Sequence, residues 1–330
     1  MKLLVTGGLG YIGGVVTHRL VQAGHHVEVL DDLSTGHADV LPGGVTLHQR
    51  SIHQVGQVLT RDAAFDGVLH LAGLIAAGDS VRHPDQYWHT NVTGSLALLT
   101  AMHTAHVPRL IFSSTGSLYA AKGMDKLTET DPIAPANPYA TTKYVVDMAI
   151  AEHTRATGIG AVSLRYFNAA GAVGRLGERH HPETHLIPLA LHAAATAAPI
   201  QIFGDDYPTP DGTCIRDYIH VADLATAHLL ALDTVRPGTH EIYNLGNSNG
   251  YSNREVLATV ADVTATPLDI QITARRPGDA VAVVASATKA EHELGWTPAH
   301  PKLTDIINDA WTFHQQHPLT TEPATTDNRR

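Results

Sequence analysis

Thr6-Gly7-Gly8-Leu9-Gly10-Tyr11-Ile12-Gly13 follows the short apolar run Lys2–Val5 and opens a stretch with helical character. In that context Gly7 and Gly10 allow a tight turn and a close approach of the backbone to a pyrophosphate, and Gly13 lets helix and strand pack. The N-terminus of the helix supplies N–H donors to the anion. The motif therefore predicts a βα unit that binds a dinucleotide.

An acidic residue closes the second predicted strand. Asp31 follows Gly13 by 18 residues, where a carboxylate can accept hydrogen bonds from both hydroxyls of an adenosine ribose. A 2′-phosphate at this point would meet the like charge of Asp31, and the neighbouring Asp32 offers no compensating arginine. The pattern favours NAD over NADP.

Short β-rich runs alternate with helical stretches through the first half of the chain, which is typical of parallel βαβ units. The alternation predicts an α/β fold built on a doubly wound parallel Rossmann sheet. The predicted strands are Lys2–Val5, Val27–Leu30, Val45–His48, Val68–Leu71, Leu110–Ser113 and Ala161–Arg165, and the predicted helices lie near Tyr11–Ala23, Asp85–Ala105 and Pro138–Thr157.

The regularity fades after Arg165 into segments rich in Gly and Pro, which predicts a smaller C-terminal α/β lobe for the substrate. We place the NAD-binding domain at residues 1–167 and the substrate lobe at 168–317. Parts of 216–246, where a helical stretch precedes a strand-like run, are expected to rejoin the first domain. The segment 318–330 is poor in apolar residues and is predicted to be disordered.

Tyr139 and Lys143 are the candidate catalytic pair. Asn137 and Pro138 are typical of an N-cap and a first helical position, and the spacing of four puts Tyr139 and Lys143 on one helix face. A nearby ammonium, an oxidised nicotinamide and the helix N-terminus would each favour the tyrosine phenolate. Tyr139 is thus a candidate general base, and Thr115, at the carboxyl end of the fifth predicted strand, could bridge a substrate hydroxyl to it.

The composition excludes several classes of function. The 330 residues carry a formal net charge of −10, so we expect no basic face for nucleic acid. No run of about 18 apolar residues occurs, so no membrane span is expected. The single cysteine, Cys214, rules out an internal disulfide framework and a thiolate-rich metal site. We expect a cytoplasmic protein.

The 23 histidines do not predict a metal site. No His-Glu-x-x-His motif occurs, and Pro182 interrupts the one dense cluster, which consists of His180, His181 and His185. We therefore interpret these side chains as solvated histidines, with no metal.

Taken together, the glycine motif, Asp31, the Ser/Thr pair after the fifth strand and Tyr-x-x-x-Lys resemble the short-chain dehydrogenase/reductase superfamily. Over about residues 1–317 the chain is further similar to the UDP-galactose 4-epimerase family. The segments that carry this similarity are Ala72-Gly73-Leu74, Asn91-Val92, Leu164-Arg165-Tyr166-Phe167-Asn168, Gly204-Asp205-Asp206-Tyr207-Pro208-Thr209, Arg216-Asp217-Tyr218-Ile219-His220-Val221, Tyr243-Asn244-Leu245-Gly246 and Arg275-Arg276-Pro277-Gly278-Asp279.

The resemblance implies an isomerase that inverts C4 of a UDP-hexose through a transient 4-keto sugar, with NAD regenerated in each turnover. It implies that Tyr139 takes the proton of the C4 hydroxyl and that Lys143 binds the nicotinamide ribose. A homodimer is also expected.

Matching the family's motifs position by position gives two further sets of residues. The implied cofactor residues are Gly7, Gly10, Tyr11, Ile12, Gly13, Asp31, Asp32, Ser51, Ile52, Leu71, Ala72, Gly73, Asn91, Ser113, Tyr139, Lys143 and Tyr166. The implied substrate residues are Thr115, Ser117, Asn168, His185, Leu186, Phe203, Arg216, Tyr218, Arg276, Asp279 and Val283.

Several positions depart from the family pattern. Ile75 stands where well-known epimerases often have a lysine that reaches the cofactor, and Ser51 replaces an aspartate expected near the adenine, so tight retention of NAD is not expected. His185 stands where some members carry asparagine. Gly116 stands where alanine is usual, which implies a slightly looser loop after Thr115. Val283 stands where a tyrosine blocks an N-acetyl group, which implies that the pocket also admits 2-acetamido sugars.

Four rival functions are weighed against this one. Nucleotide-sugar 4,6-dehydratases carry an Asp-Glu pair after the active-site threonine, and UDP-glucuronate decarboxylases carry a glutamate in that loop, whereas Gly116 and Ser117 offer no carboxylate. A silent NAD-binding regulator is disfavoured because Tyr139, Lys143 and Thr115 are intact. A 4-epimerase that acts on UDP-glucuronate stays open, since it needs the same chemistry at C4.

Overall fold

The computed structural model describes residues 1–276 and 278–319. Its strands are β1 (Lys2–Thr6), β2 (His26–Asp31), β3 (Thr46–Gln49), β4 (Gly67–His70), β5 (Arg109–Thr115), β6 (Gly160–Tyr166), β7 (Asn168–Ala170), β8 (Ile200–Phe203), β9 (Ile215–His220), β10 (His240–Leu245), β11 (Gly250–Ser252), β12 (Ile270–Thr273) and β13 (Ala282–Val283). Its α-helices are α1 (Tyr11–Gln22), α2 (Ala77–Arg82), α3 (Pro84–Tyr87), α4 (Gly94–Ala105), α5 (Pro138–Thr157), α6 (Leu186–Thr196), α7 (Val221–Thr234), α8 (Asn253–Thr264), α9 (Thr288–Leu294) and α10 (Leu303–Gln316).

Seven parallel strands form the main sheet, in the order β10-β6-β5-β4-β1-β2-β3. Successive residues of a strand point to opposite faces. Leu3 and Val5 accordingly pack in the core under α1 and α7, while Leu4 packs in the core under α4 and α5. The predicted doubly wound Rossmann fold is confirmed, with helices on both faces of the sheet.

The order of the strands reverses between β1 and β4, because the chain first winds outward to β3 and then returns on the other side. Open α/β sheets bind their ligands at such a point, outside the carboxyl ends of the strands. A ligand is therefore expected at the carboxyl ends of β1, β2, β4 and β5.

Elements after β6 form a second core beside the sheet. Strands β11, β9 and β13 pair side by side, β7 joins β9, and β12 pairs with β8. Helices α6, α8 and α10 bury apolar side chains in this core, among them Ile187, Val256 and Ile306. Between β9 and β11 the chain leaves this second core, and β10 pairs with β6 in the main sheet. The boundary at residue 167 stays a prediction, and residues 320–330 of the predicted disordered tail lie outside the described residues.

The helix predicted over Asp85–Ala105 is interrupted, and that prediction is wrong in detail. A wider turn of π type spans 88–93 between α3 and α4. It turns Asn91 inward, where the amide nitrogen donates to the carbonyl of Leu74 (3.0 Å) and to the hydroxyl of Thr142 (3.1 Å). Such turns inside helices are frequently found at functional sites.

Helix α5 begins and ends where the sequence predicts. The Asn137 side chain accepts a hydrogen bond from the backbone N–H of Ala140 (2.9 Å), Pro138 occupies the first helical position, and Gly158 ends the helix at φ +78°. These caps set the register that puts Tyr139 and Lys143 toward the sheet.

A buried ion pair ties α5 to the sheet. Arg165 on β6 approaches Asp147 on α5 at 3.0 Å, and their side chains are 4% and 3% exposed. Ser114 donates to the same carboxylate oxygen (3.1 Å), and Arg165 also donates to the hydroxyl of Tyr119 (3.0 Å). These bonds hold α5 at the carboxyl end of β5.

Among residues 1–276 and 278–319, no helix is both long enough and apolar enough to cross a bilayer.

Asp147→Asn should destabilise the fold strongly, because it leaves the Arg165 charge buried without a counter-ion. The expected loss in the free energy of unfolding is about 3–5 kcal/mol, measured by urea denaturation. Glu152→Gln is the matched control, since Glu152 pairs with Arg155 on the exposed face of the same helix, and it should cost at most about 1 kcal/mol. Equal losses in the two variants would contradict the role given to the buried pair.

Candidate active site

The turn between β1 and α1 closes against the end of β4. Gly7 has φ +71°, and a Cβ placed there would lie 2.6 Å from the backbone nitrogen of Ala72. A Cβ at Gly13 would overlap the carbonyl oxygen of Gly7. At Gly10 the nearest atom of the described residues would be 3.5 Å away, so the backbone there is open to a ligand.

The first turn of α1 fits a pyrophosphate. Gly10 is its N-cap, no side chain among the described residues caps it, and its first turn holds no acidic residue. The free N–H groups of Tyr11 and Ile12 are therefore available to an anion. The Tyr11 hydroxyl donates to the carbonyl of Gly171 (2.6 Å), which joins this turn to the chain that follows β7.

Asp31 lies at the end of β2 and faces the glycine turn. Its carboxylate accepts hydrogen bonds from the backbone N–H groups of Leu9 and Leu33, both at 2.9 Å. Burial raises its pKa, although these two hydrogen bonds oppose the rise. A carboxylate has about four lone-pair sites, so Asp31 retains acceptors for the ribose hydroxyls. Asp32 is exposed and accepts from the N–H of Ser34 (2.9 Å).

The predicted adenine-side residues have local structural contacts. Ser51 caps the short helix at 52–57, where its hydroxyl accepts from the N–H of His53 (3.4 Å). Ile52 is buried, and Ile75 is 41% exposed. The isoleucine side chain at position 75 therefore offers no polar atom, unlike the lysine of the family pattern.

The loop after β4 lies beside the lysine. The N–H of Leu71 donates to the carbonyl of Thr6 (3.0 Å), which continues the pairing of β4 with β1 one residue past His70. A Cβ at Gly73 would lie 3.0 Å from the Asn91 amide oxygen and 3.6 Å from the Lys143 ammonium. Glycine thus leaves the lysine accessible from this side.

Lys143 is buried, and its ammonium donates to the carbonyl of Ser113 (2.9 Å). Burial lowers its pKa to about 8, although Asp147, one helical turn along, raises it. The group therefore remains mostly protonated at neutral pH and places a positive charge at the end of β5.

The pKa of Tyr139 is raised in the chain alone, whereas the sequence predicted surroundings that favour the phenolate. Burial raises its pKa, and a hydrogen bond with the neighbouring Thr115 hydroxyl lowers it. Tyr139 lies beside Thr115, and because burial raises its pKa the phenolate is not favoured by the chain alone. The catalytic roles of the two residues stay a prediction.

Thr115 shapes the turn that follows β5. Its hydroxyl accepts from the N–H of Ser117 (3.1 Å) and so caps the short helix at 116–118. A Cβ at Gly116 would lie 2.6 Å from the Phe167 ring. Glycine therefore does more than loosen this loop, because it makes room for an aromatic ring beside Thr115.

Ser113 and Tyr166 bond to each other through their hydroxyls, across the adjacent strands β5 and β6. The two side chains lie at the same sheet edge as Lys143. Their place in the predicted cofactor set stays a prediction.

His70 was missed by the sequence analysis. Its ring bridges the hydroxyls of Thr6 (2.7 Å) and Ser95 (2.8 Å), and Ser95 donates to the carbonyl of Asn91 (2.5 Å). Burial lowers its pKa to about 3, and the Lys143 charge adds to this effect, so the imidazole is neutral. A histidine at the end of an otherwise apolar strand was the available signal.

Seven of the eleven predicted substrate residues fall into three groups. Asn168 and Tyr218 pair on β7 and β9. The Arg276 guanidinium lies 3.7 Å from the centroid of the Phe203 ring.

Arg216 forms the third group with two further predicted residues. It lies opposite Val283 on the paired strands β9 and β13, and 3.8 Å from the Asp279 carboxylate. The structure thus brings two arginines and an aromatic ring to the second core.

His185 lies apart from these groups and corrects the interpretation of the histidines. Its ring pairs with Glu178 (2.7 Å) and Glu183 (2.8 Å), and the His180 ring is 5.5 Å away. Burial opposes the charged form of His185, but the two carboxylates outweigh it and raise its pKa to about 10. The expectation that Pro182 keeps these rings apart is wrong, because the loop brings them together at the start of α6, beside Leu186.

The chain is similar to one family model and to several named proteins. The family model described as NAD dependent epimerase/dehydratase family matches residues 3–246. The chain is 45% identical to a UDP-glucose 4-epimerase of Corynebacterium glutamicum, with 95% of each chain covered, and 48% identical to one of Streptomyces lividans, with 96% and 97% covered. A crystal structure of UDP-glucose 4-epimerase from Bifidobacterium longum in complex with NAD⁺ and UDP has a TM-score of 0.91 at 33% identity, with 96% and 99% covered.

Proposed function

The chain belongs to the NAD dependent epimerase/dehydratase family, and from that premise we propose that it interconverts UDP-glucose and UDP-galactose by inverting C4 of the hexose. The observation that carries the proposal is the meeting of Thr115, Tyr139 and Lys143 at the sheet edge beside the glycine turn. Relatives named UDP-glucose 4-epimerase match nearly the whole chain. The protein is on this basis an isomerase.

The cofactor is NAD. The open backbone at Gly10 and the uncapped first turn of α1 suit its pyrophosphate, and Asp31 suits its adenosine ribose. When bound, NAD accepts a hydride from C4 and returns it. In our proposal Lys143 binds the nicotinamide ribose, and its charge lies next to the site of reaction.

Tyr139 is proposed to hold the proton of the C4 hydroxyl. The phenolic oxygen removes this proton as the C4–H bond breaks and gives it back when the hydride returns. Thr115, beside Tyr139, bonds to the same substrate hydroxyl and orients it. Because burial raises the pKa of Tyr139 in the chain alone, the phenolate depends on positive charge that arrives with the ligands.

The second core is proposed to bind the UDP group. Arg216 and Arg276 neutralise the diphosphate, and Phe203, which already stacks on Arg276, keeps that guanidinium in place. Nη1 of Arg216 donates to the carbonyls of Ile215 (2.8 Å) and Ala280 (3.0 Å), whereas Nη2 makes only a long 3.8 Å contact with Asp279, so this side of the guanidinium suits a stronger anion. Asn168, Leu186 and Tyr218 complete the proposed nucleotide site.

A dehydratase is not favoured. Elimination of water across C5 and C6 needs an extra acid and base, and the turn at 116–118, next to Thr115, carries no carboxylate. The relatives that match the chain are named as epimerases, so a silent NAD-binding protein is not favoured either.

Tyr139→Phe should abolish epimerisation while the fold is retained, because it removes the one oxygen that acts as base. The expected fall in kcat is at least about 10²-fold, measured on UDP-galactose with a coupled assay for UDP-glucose. Tyr144→Phe is the control, since it removes a hydroxyl from the same helix at a position that packs against Leu118. Activity of Tyr139→Phe within a few-fold of wild type would rule out this role.

We propose acetamido sugars as a second substrate class. Val283 is partly buried and packs with Phe167 against the small cluster around Leu118, next to the Thr115 turn. This contact favours a side chain that borders the sugar over one that points away. A valine in place of a tyrosine leaves space for an N-acetyl group.

Wild type should turn over UDP-N-acetylglucosamine and UDP-glucose with kcat/KM values within roughly 10²-fold, since an apolar wall discriminates weakly against the smaller sugar. Val283→Tyr should suppress the acetamido reaction selectively. Equal impairment of both sugars, or no acetamido turnover by wild type, would contradict the size argument.

We propose that the protein is a homodimer, with α4 and α5 at the interface. Leu96 on α4 and Met148 on α5 are exposed apolar side chains on neighbouring helices. Leu96→Asp should therefore shift the mass seen by light scattering from dimer to monomer. Met124→Asp, a change of another exposed apolar side chain, should leave the dimer intact, and a monomeric wild type would contradict the proposal.

We further propose a cytoplasmic location and a role in carbohydrate metabolism. The proposed substrate is a nucleotide sugar, and the chain has a single, buried cysteine, Cys214, so it depends on no internal disulfide, which suits a reducing compartment.

A further inference from the structure

Four side chains between β7 and α6 converge on one point. The side chains of Glu178, His180, Glu183 and His185, here called the Glu178 cluster, each offer one ligand atom, and these atoms all lie within 4.8 Å of one another. None of the four is assigned to the proton transfer at C4. The cluster therefore lies outside the residues proposed for proton transfer, although His185 is also one of the implied substrate residues.

The contacts within the cluster are dense. Glu178 Oε1 lies 2.9 Å from Nδ1 of His180 and 2.7 Å from Nδ1 of His185. The same nitrogen of His185 lies 2.8 Å from Oε1 of Glu183. The side chains of Glu178 and Glu183 are only 9% and 4% exposed, so both carboxylates are withdrawn from water.

One buried oxygen in the cluster has no partner. Oε1 of Glu183 accepts from the backbone N–H groups of Thr184 (2.6 Å) and His185 (2.8 Å), whereas Oε2 of Glu183 is buried with no hydrogen-bond partner among the residues that the structure describes. A buried carboxylate oxygen left in this way costs about 1–3 kcal/mol or more. The other oxygen of the same carboxylate lies 2.8 Å from Nδ1 of His185, and a buried, unpartnered oxygen beside a histidine ligand atom points to a missing cation.

We propose that the Glu178 cluster binds a divalent transition-metal cation of the Zn²⁺ class, with all four side chains as ligands. Two imidazole nitrogens and two carboxylate oxygens suit Zn²⁺, whereas Mg²⁺ and Ca²⁺ prefer oxygen alone. Two carboxylates also balance the two positive charges of the metal.

The geometry requires only a small adjustment. With metal–ligand bonds of about 2.0–2.1 Å in a tetrahedron, neighbouring ligand atoms lie about 3.3–3.4 Å apart. The hydrogen-bonded pairs in the cluster are 2.7–2.9 Å apart and open by about 0.5 Å when a metal replaces the protons. The remaining pairs of ligand atoms, which lie within 4.8 Å, adjust toward the same tetrahedral spacing.

The position of the cluster indicates a structural role. The His180 ring packs edge-on against Tyr11, with centroids 6.5 Å apart, and His185 is the residue before α6. Four protein ligands leave no open coordination position, which is typical of structural zinc. A metal there would hold the loop at 178–185 against the glycine turn.

A second group, His220, His300 and Asp309, also brings three ligand atoms within 4.8 Å. Here Asp309 is about half exposed and His300 is half-buried, and Asp309 already bonds to His220. No unpartnered buried oxygen marks it within the described ranges. It carries no proposal and serves as an internal comparison.

The test is zinc binding by the tag-free full chain after treatment with a chelator and dialysis. Isothermal titration with Zn²⁺, and metal analysis after equilibrium dialysis, should give one tight site per chain and a rise in the thermal midpoint. Glu183→Gln keeps the size of the side chain and should weaken this site by at least about 100-fold, beyond the usual effect of changing an outer partner. His180→Ala should do the same, and Mg²⁺ should not compete.

Two controls make the test specific. His181→Ala changes the exposed histidine of the same loop, and His300→Ala removes the comparison group; both should retain the tight site. Circular dichroism establishes that each variant is folded. The proposal is overturned if wild type binds no Zn²⁺ tightly, if Glu183→Gln and His180→Ala bind as wild type does, or if His300→Ala alone abolishes binding.

Discussion

The turn between β1 and α1 depends on two missing side chains. A Cβ at Gly7 would collide with the backbone of Ala72, and one at Gly13 would overlap the carbonyl of Gly7. Their absence lets α1 begin directly above the sheet edge, with its uncapped N–H groups facing the point where the strand order reverses. Asp31 then reaches the same turn through the N–H of Leu9 (2.9 Å). The cofactor end of the protein follows from this one steric constraint.

The order and most bounds of the sheet elements could be predicted because their signals are local. Apolar runs mark the strands, and Asn137 with Pro138 marks the start of α5. The wider turn at 88–93 could not be predicted, since it depends on distant partners: Asn91 turns inward to Leu74 and Thr142. Periodicity alone describes that segment as one continuous helix.

The candidate site, too, could be predicted from the sequence only in part. Spacing on one helix placed Tyr139 and Lys143 together, but it could not show that the lysine ammonium is directed at Ser113 or that burial dominates the pKa of the tyrosine. Gly116 was interpreted as a looser loop, whereas the structure fills the space with Phe167. The Glu178 cluster was missed because a proline between histidines was taken as a break, although the loop folds back on itself there.

The position of β10 has a consequence for synthesis on the ribosome. Strand β6 ends at Tyr166, but β10, which pairs with the outer side of β6, ends only at Leu245. About 80 residues must therefore be synthesised after β6 before the sheet is complete, which takes roughly 4–16 s at typical rates of translation. During that interval the nascent chain presents an apolar strand with unpaired N–H and C=O groups along one side. The main sheet is therefore completed late in synthesis. Several ribosomes on one messenger RNA hold many such unpaired strand edges close together. Prompt occupation of that edge, by a chaperone or by β10 itself, decides between folding and co-aggregation.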